Sequence, residues 1–242
     1  MKIRLDFYCA KALVERRNSV EKPTKLGYPS AMAKTHKVFG IGLNKTGTSS
    51  LKVALRRLGY DHSPRRNALL RDMFDGDMSS IYADAETYES FEDWPWPLVY
   101  KEIFAKYGDS ARYILTRRAT PDIWLNSIRK HAERVKAKMY RRKIFGYAYP
   151  HGVEQVYLDF YTRHLVEVRQ FFADNNASHL LCELCWEEGD GWLELCDFLG
   201  EPLQKSDFPN SNSSMNAEPD AEQMAFNQEA IALQLKRLKR RD

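Results

Sequence analysis

The segment GIGLNKTGTSSL, residues 40–51, concentrates glycine, lysine and hydroxyl side chains in a pattern that suits a phosphate-like anion. It nearly matches the nucleotide-binding pattern G-x-x-x-x-G-K-[ST], with Gly42 and Gly47 at the required spacing. Lys45, however, lies two residues before the second glycine, and Thr48 occupies the usual position of the lysine. The loop therefore has anion-binding chemistry without the arrangement that ATP-hydrolysing proteins use.

Such a loop must surround a tetrahedral oxyanion with hydrogen-bond donors. Glycines allow the backbone to approach closely, successive N–H groups donate to the anion, and the N-terminus of a following helix adds a positive dipole. Because Lys45 comes early in the loop, its ammonium can neutralise charge that builds on a leaving phosphate without a metal ion. The alternative interpretation is a glycine turn, capped by serine before a helix, that binds no ligand.

The neighbouring elements must place this loop at the end of a strand. The segment HKVFGIGL, residues 36–43, is a short apolar run that ends in a glycine loop, which is typical of a buried strand. From Ser49 onward apolar side chains recur at helical spacing, and Gly59 is a plausible stop. The order strand, loop, helix brings backbone N–H groups to a ligand at the helix N-terminus.

Strands and helices alternate along the rest of the chain, which predicts an α/β domain with a central parallel sheet. Helices on both faces would give a three-layer α/β/α arrangement. We expect an N-terminal extension (1–36), the α/β domain (37–216) and a C-terminal basic helix (217–242). The further predicted strands are 88–93, 111–116 and 179–184, and the further predicted helices are 67–74, 97–107, 120–131, 151–173 and 189–199.

Three blocks resemble a known family. FGIGLNKTGTSSLKVALRRLGY, residues 39–60, resembles the 5′-phosphosulfate-binding loop and first helix of the sulfotransferases that use 3′-phosphoadenosine 5′-phosphosulfate (PAPS). ARYILTRRATPDIWLNSI, residues 111–128, resembles the strand and helix with which that family holds the 3′-phosphate. GDGWLELCDFLGEPLQKSDFPNSNS, residues 189–213, resembles the C-terminal segment of a bacterial-type branch. Together the blocks cover residues 37–213 and imply a P-loop NTPase-like fold, PAPS as co-substrate and no metal.

The resemblance also implies roles for single residues. Lys45 would assist the leaving phosphate, while Arg118 and Ser127 would hold the 3′-phosphate. Arg118 lies nine residues before Ser127, whereas the family spacing is eight, so Arg117 stays open as the alternative. The residues implied in donor binding are Asn44, Lys45, Thr46, Gly47, Thr48, Ser49, Ser50, Arg118 and Ser127.

Transfer to a hydroxyl or amine also needs a base. Asp93 follows the strand candidate 88–93 and is our first choice, because the end of a strand adjoining the loop is the natural position. The alternative is that Asp93 caps the helix that follows it. Further candidates for the base, each weaker, are His62, His131, His151, Glu102 and Lys101.

Composition limits the partners. The chain has 242 residues, a formal net charge of +4 and 43% hydrophobic residues, which suits a globular protein with a local anionic ligand. The basic run 129–143 is interpreted as a solvated helix face or as an approach surface for an anionic donor or acceptor. We expect a small-molecule or glycan acceptor, no nucleic acid, no membrane span and a cytoplasmic location; the oligomeric state stays open.

Two other functions remain possible from the sequence. One is a small P-loop kinase that uses ATP and magnesium, which the displaced lysine disfavours. The other is a non-catalytic member of the fold that acts as a binding module, which the altered Arg–Ser spacing and the basic terminal helix motivate.

Overall fold

The structure is a computed structural model that describes residues 34–137, 139–210, 218 and 220–240, with only the backbone of Met139. Nearly all of the predicted N-terminal extension, 1–36, therefore lies outside the described residues. All described residues belong to one compact unit.

The centre of the fold is a parallel sheet in the order β2-β1-β3-β4. β1 pairs with β2 on one side and with β3 on the other, so the connection from β2 to β3 crosses over β1. The parallel α/β fold predicted from alternating strands and helices is confirmed. The strands are β1 (Lys37–Gly40), β2 (Ser90–Phe91), β3 (Ala111–Thr116) and β4 (Leu181–Leu184).

The helices follow the predicted order, with two that the sequence did not reveal. α3 was missed because only Ile81 and Ala85 mark its buried face, and α6 because it lies within the basic run. The helices are α1 (Thr48–Arg57), α2 (Asn67–Phe74), α3 (Ser79–Thr87), α4 (Tyr100–Tyr107), α5 (Pro121–Arg134), α6 (Met139–Phe145), α7 (Glu154–Asp174), α8 (Trp192–Leu199) and α9 (Ala221–Leu238).

Alternation along the strands gives the sheet two apolar faces. Val38 and Ile114 belong to a buried cluster with side chains of α1 and α8. Phe39, Tyr113 and Leu115 belong to a second, larger cluster with side chains of α4, α5 and α7. Because each face is covered by helices, the predicted three-layer α/β/α arrangement is confirmed.

The C-terminal helix α9 packs on the domain through polar contacts. The fully buried Asn227 donates from Nδ2 to the carbonyl of Glu133 on α5 at 2.9 Å and accepts from the Tyr149 hydroxyl at 3.1 Å. Gln234 donates to the carbonyls of Tyr149 and His151. These contacts fix α9 against α5 and the segment after α6.

Among the residues that the structure describes, none of the helices combines the length and apolar character needed to cross a bilayer.

Candidate functional site

The carboxyl ends of the parallel strands bring the predicted site residues to one edge of the sheet. The loop 41–47 follows β1 at the centre, and Asp93 comes two residues after β2 on one side. Arg117 and Arg118 follow β3 on the other side, with Trp186 just beyond β4. Ligands of open α/β sheets bind outside this edge, where neighbouring connections diverge. Here that position lies between β1 and β3.

Two glycines let the loop fit against its neighbours. A Cβ at Gly42 would lie 2.1 Å from the Thr116 hydroxyl oxygen and 2.4 Å from the Thr116 carbonyl oxygen. Gly47 has φ +90, and a Cβ there would lie 2.2 Å from the indole of Trp186. That indole also donates from Nε1 to the Gly47 carbonyl at 3.3 Å. Any other residue at either position would displace backbone or an aromatic ring.

Side chains from distant elements hold the loop. The Thr46 hydroxyl is buried, donates to the Leu43 carbonyl at 2.6 Å and lies 2.6 Å from the Thr116 hydroxyl. The Trp124 indole on α5 donates to the Asn44 carbonyl at 2.9 Å, and His164 Nε2 on α7 lies 2.8 Å from the Ile41 carbonyl oxygen. The hydroxyl of Thr46, predicted to bind the donor, is thus engaged in closing the loop.

The start of α1 is electropositive. The N–H groups of Ser50 and Leu51 bond back to the Gly47 carbonyl, whereas those of Thr48 and Ser49 have no backbone acceptor within the described part of the chain. The first turn of α1 contains no acidic residue and no side-chain cap. The positive end of the helix dipole is therefore available to an anion.

Lys45 carries the charge of the loop in an unusual backbone conformation. Its φ is +70, in the left-handed region that non-glycine residues rarely occupy. Burial lowers the pKa of its ammonium below the ordinary lysine value, with Arg118 and Arg134 acting in the same direction and Asp93 against it. Lys45 thus lies in a field of neighbouring cations, which an anionic ligand would relieve.

The two arginines after β3 have different environments. Arg117 is held by Glu183 at 2.6 Å and by Glu188 at 2.5 Å. Arg118 Nη1 donates to the Lys45 carbonyl at 3.3 Å, its Nη2 is paired with Glu187, and its buried Nε has no partner in the described structure. Arg118 is therefore the arginine that contacts the loop.

Ser127 lies on α5, three residues after the Trp124 that contacts the loop, and is half-buried. α5 begins at Pro121 as the sequence predicts, and the Thr120 hydroxyl accepts a hydrogen bond from the N–H of Ile123 at 3.3 Å. Of the two, only Arg118 has a hydrogen bond to the loop in the described chain, and no hydrogen bond joins Ser127 to Arg118 there.

The end of β2 presents two carboxylates in different directions. Glu92 continues the strand alternation toward α1, where it pairs with Lys52 at 3.2 Å and its side chain is only 6% exposed. Burial, and then the neighbouring Asp93, raise the pKa of Glu92. Asp93 has φ +64, its Oδ2 lies 3.4 Å from Arg65, and its buried Oδ1 has no partner among the described residues. Its side chain caps no helix, so the alternative interpretation of Asp93 is wrong.

The other candidates for the base lie in different parts of the structure. His62 is buried beside Ser90, the first residue of β2, and lies 2.9 Å from the Ser90 hydroxyl; burial, Arg56 and Lys52 lower its pKa to about 3. His151 lies 3.0 Å from Glu133, near α9. Lys101 and Glu102 line a separate cavity of about 250 Å³ between α4 and α7. His131 is half-buried on α5.

Sequence reasoning missed residues that border the site from α6 and from the segment after β4. Alternation along SFED could have placed Glu92 on the α1 face, opposite Phe91. Nothing local indicates that Trp186 would lie on Gly47, or that Arg141 in the basic run would be buried. In the described residues, no group of three or more metal-ligating side chains could hold a metal ion.

Comparison with known proteins gives a family for this arrangement. The family model described as a sulfotransferase domain matches residues 37–151 and 136–217. The chain is 25% identical over 218 residues to the Ava biosynthesis cluster protein M of Aspergillus versicolor, covering 72% of this chain and 80% of that protein. It is also similar to the crystal structure of a sulfotransferase from Alicyclobacillus acidocaldarius, with 16% identity, a TM-score of 0.49 and coverage of 83% and 96% of the two chains. On the extent of the family match, which spans most of the α/β domain, this chain belongs to the sulfotransferase family.

Proposed function

We propose that this protein uses PAPS as its donor and transfers the sulfuryl group to a hydroxyl or amine of a small molecule. The observation that carries the proposal is the contact between Arg118 and the Lys45 carbonyl. It brings together the two cations that the family resemblance assigns to the two ends of the donor. When bound, PAPS supplies an activated sulfuryl group and a good leaving group.

The loop residues fit such a donor. The N–H groups of Thr48 and Ser49 lie at the start of α1, whose own first turn contains no acidic residue, and the adjacent Glu92 carboxylate is engaged with the Thr48 hydroxyl and Lys52. Lys45 stabilises negative charge at the 5′ end of the nucleotide, in the manner of a fixed cation in a partly dehydrated site. Arg118 and Ser127 hold the 3′-phosphate, and the buried, unpaired Nε of Arg118 is a donor that a phosphate oxygen would satisfy.

Asp93 acts as the base of this proposal. Its buried Oδ1 has no partner among the described residues and can accept the proton of an acceptor hydroxyl. Its charge acts on the Lys45 ammonium and raises the pKa of that group, against the larger effect of burial. Glu92 is engaged with Lys52 and with the Thr48 hydroxyl, which leaves Asp93 as the carboxylate directed away from α1.

Calorimetry with the desulfated product, 3′-phosphoadenosine 5′-phosphate (PAP), tests the donor site directly. We expect PAP to bind the wild type and Lys45→Ala to weaken binding by about 10- to 100-fold, the loss of one charge-assisted contact. Lys130→Ala, which removes an exposed lysine on α5, is the matched control and should leave the affinity unchanged. Absence of PAP binding to the wild type, or equal binding by both variants, would contradict the proposal.

The same titration separates the two alternatives. A kinase would bind ATP with magnesium more tightly than PAP, and the displaced Lys45 and the engaged Thr48 hydroxyl argue against this. A non-catalytic binding module would bind PAP but release none from PAPS with any acceptor. Sulfate transfer to one acceptor would exclude the second alternative.

A further inference from the structure

The helix α6 carries a buried arginine without an acidic partner. Arg141 is only 4% exposed, and its Nη1 is buried with no hydrogen-bond partner among the described residues. Within the described part of the chain, no carboxylate lies within ion-pair distance of its guanidinium. By contrast, Arg117 and Arg118 at the other side of the loop each have glutamate partners. A buried cation without a counter-charge is costly, so its retention calls for a ligand.

Tyrosines rather than carboxylates surround this guanidinium. Arg141 acts electrostatically on the hydroxyls of Tyr140, Tyr149 and Tyr157. The Tyr149 hydroxyl donates to Asn227 Oδ1 and the Tyr157 hydroxyl donates to the Tyr147 carbonyl, each at 3.1 Å. These hydroxyls are thereby held in place, but they supply no negative charge.

Tyr140 connects Arg141 with the base. Its hydroxyl interacts with Arg141 and lies in the field of Asp93 and Arg65. Its ring centroid is 6.0 Å from that of Trp94, the residue after Asp93. Arg141 and Asp93 therefore flank the same tyrosine on the β2 side of the loop.

Three buried polar atoms around Tyr140 have no partner among the described residues. Two are donors, Arg141 Nη1 and Trp94 Nε1, and one is an acceptor, Asp93 Oδ1. Native structures leave few such atoms unpaired, and those that remain commonly mark a site for a ligand or water. One ligand with an oxyanion and a hydroxyl would satisfy all three.

We propose that the acceptor is a hydroxy acid whose carboxylate binds Arg141 while its reacting hydroxyl faces Asp93. This inference rests on the proposed function and adds the chemical class of the acceptor to it. Trp94 Nε1 is the second donor to the carboxylate, and the rings of Trp94 and Tyr140 provide the apolar contact between its two ends. The neighbouring Arg142 is exposed and takes no part in this binding.

Matched acids and esters test the acceptor class. Protein saturated with PAP is titrated with 4-hydroxyphenylacetate, 6-hydroxy-2-naphthoate and 3-hydroxydecanoate, and with the methyl ester of each, by calorimetry and tryptophan fluorescence. We expect at least one acid to bind about tenfold or more tightly than its ester, since a hydrogen bond to a charged group contributes that much. If no acid binds, or if acids and esters bind alike, the inference is overturned.

Variants of Arg141 test whether this residue causes the preference for acid over ester. Arg141→Gln should abolish the preference for acid over ester, Arg141→Lys should retain part of it, and Arg142→Gln should retain all of it. Retention of the full preference in Arg141→Gln overturns the inference. PAP affinity should be equal in all three variants and the wild type, which also shows that they are folded. If Arg141→Gln does not fold, the wild-type pairs together with Arg141→Lys decide. Failure of PAP to bind the wild type would instead refute the proposed donor.

Discussion

The two sides of the loop that follows β1 differ in how their buried charged groups are paired. On the β3 and β4 side, Arg117 and Arg118 are paired with glutamates that follow or belong to β4. On the β2 side, Asp93 and Arg141 keep buried atoms without partners in the described structure. The cations of the first side are held by protein carboxylates, with Arg118 Nε left for a ligand, whereas the guanidinium of Arg141 on the second side has no carboxylate partner among the described residues.

This difference suits a transferase in which one substrate is fixed and the other varies. A site for a nucleotide gains from cations held in one orientation, because little ordering is needed when the ligand binds. On the side proposed for the acceptor, the atoms that remain unpaired would select for a ligand that pairs them, since a wrong ligand leaves them unsatisfied. Under the proposed function, the paired side therefore contributes affinity for the nucleotide, and the unpaired side contributes selectivity for the acceptor.

The largest effect is expected at Asp93, the proposed base. Asp93→Asn should lower the rate of PAP release from PAPS by about 10²- to 10⁴-fold in the presence of 6-hydroxy-2-naphthoate, while PAP affinity stays within about twofold. Asparagine tolerates the positive φ of this position, so the backbone is preserved.

Glu92→Gln is the matched control for this prediction, and its rate should fall much less, because Glu92 faces Lys52 on α1. A fully active Asp93→Asn with an inactive Glu92→Gln would move the base to Glu92.

The loop shared by both sides should be intolerant of a single methyl group. Gly42→Ala places its Cβ against backbone and side-chain atoms of Thr116, so we expect a loss of about 3 kcal/mol in the free energy of unfolding. Gly76 has φ +83, and a Cβ there meets nothing within 4 Å, so Gly76→Ala imposes backbone strain without a clash and about 1 kcal/mol is expected. Urea unfolding of both variants measures the difference, and equal losses would show that the close packing around Gly42 costs no more than the backbone strain at Gly76.

On the β3 and β4 side, we expect one arginine to distinguish nucleotides with a 3′-phosphate from those without it. Arg118→Gln should reduce the preference for PAP over adenosine 5′-phosphate by about 10- to 100-fold, because only PAP has a 3′-phosphate. Arg117→Gln should leave that preference unchanged and lower the melting temperature slightly, since its partners are glutamates. Titration of each variant with both nucleotides gives the answer, and the reverse result would assign the 3′-phosphate to Arg117.

The smallest effect expected is a pH dependence from Lys45. Its pKa is lowered in the free protein and rises when an anion binds, so the affinity for PAP should decline as the pH passes the lowered pKa. Between pH 7.5 and 10 we expect a decline of up to about tenfold, whereas an ordinary lysine would give almost none over this range. Calorimetry across these pH values, with Lys45→Ala as the pH-independent reference, measures it. An affinity that is constant in the wild type would mean that Lys45 does not contact the nucleotide.

Much of the fold and part of the site could be predicted because the signals are local. The glycine loop after an apolar strand, the Thr120–Pro121 helix start and the order of elements all depend on residues adjacent in the chain. The same local signals placed Lys45 and Asp93 at strand ends, and both occupy the positive-φ conformations that functional sites often require. The family resemblance rested on the same segments.

Which of two neighbouring side chains contacts the loop was decided only by the tertiary structure. The sequence left Arg117 and Arg118 as alternatives, and the choice depended on Glu183, Glu187 and Glu188, which lie more than sixty residues away. The inward contact of the Thr46 hydroxyl likewise depends on a distant residue, because its partner Thr116 lies 70 residues away in the sequence. For the basic run the sequence left a solvated face and an approach surface as alternatives, and only the fold shows that Arg141 is buried. Local patterns set where the chain turns and which chemistry it carries, whereas burial and charge pairing arise only when distant segments meet.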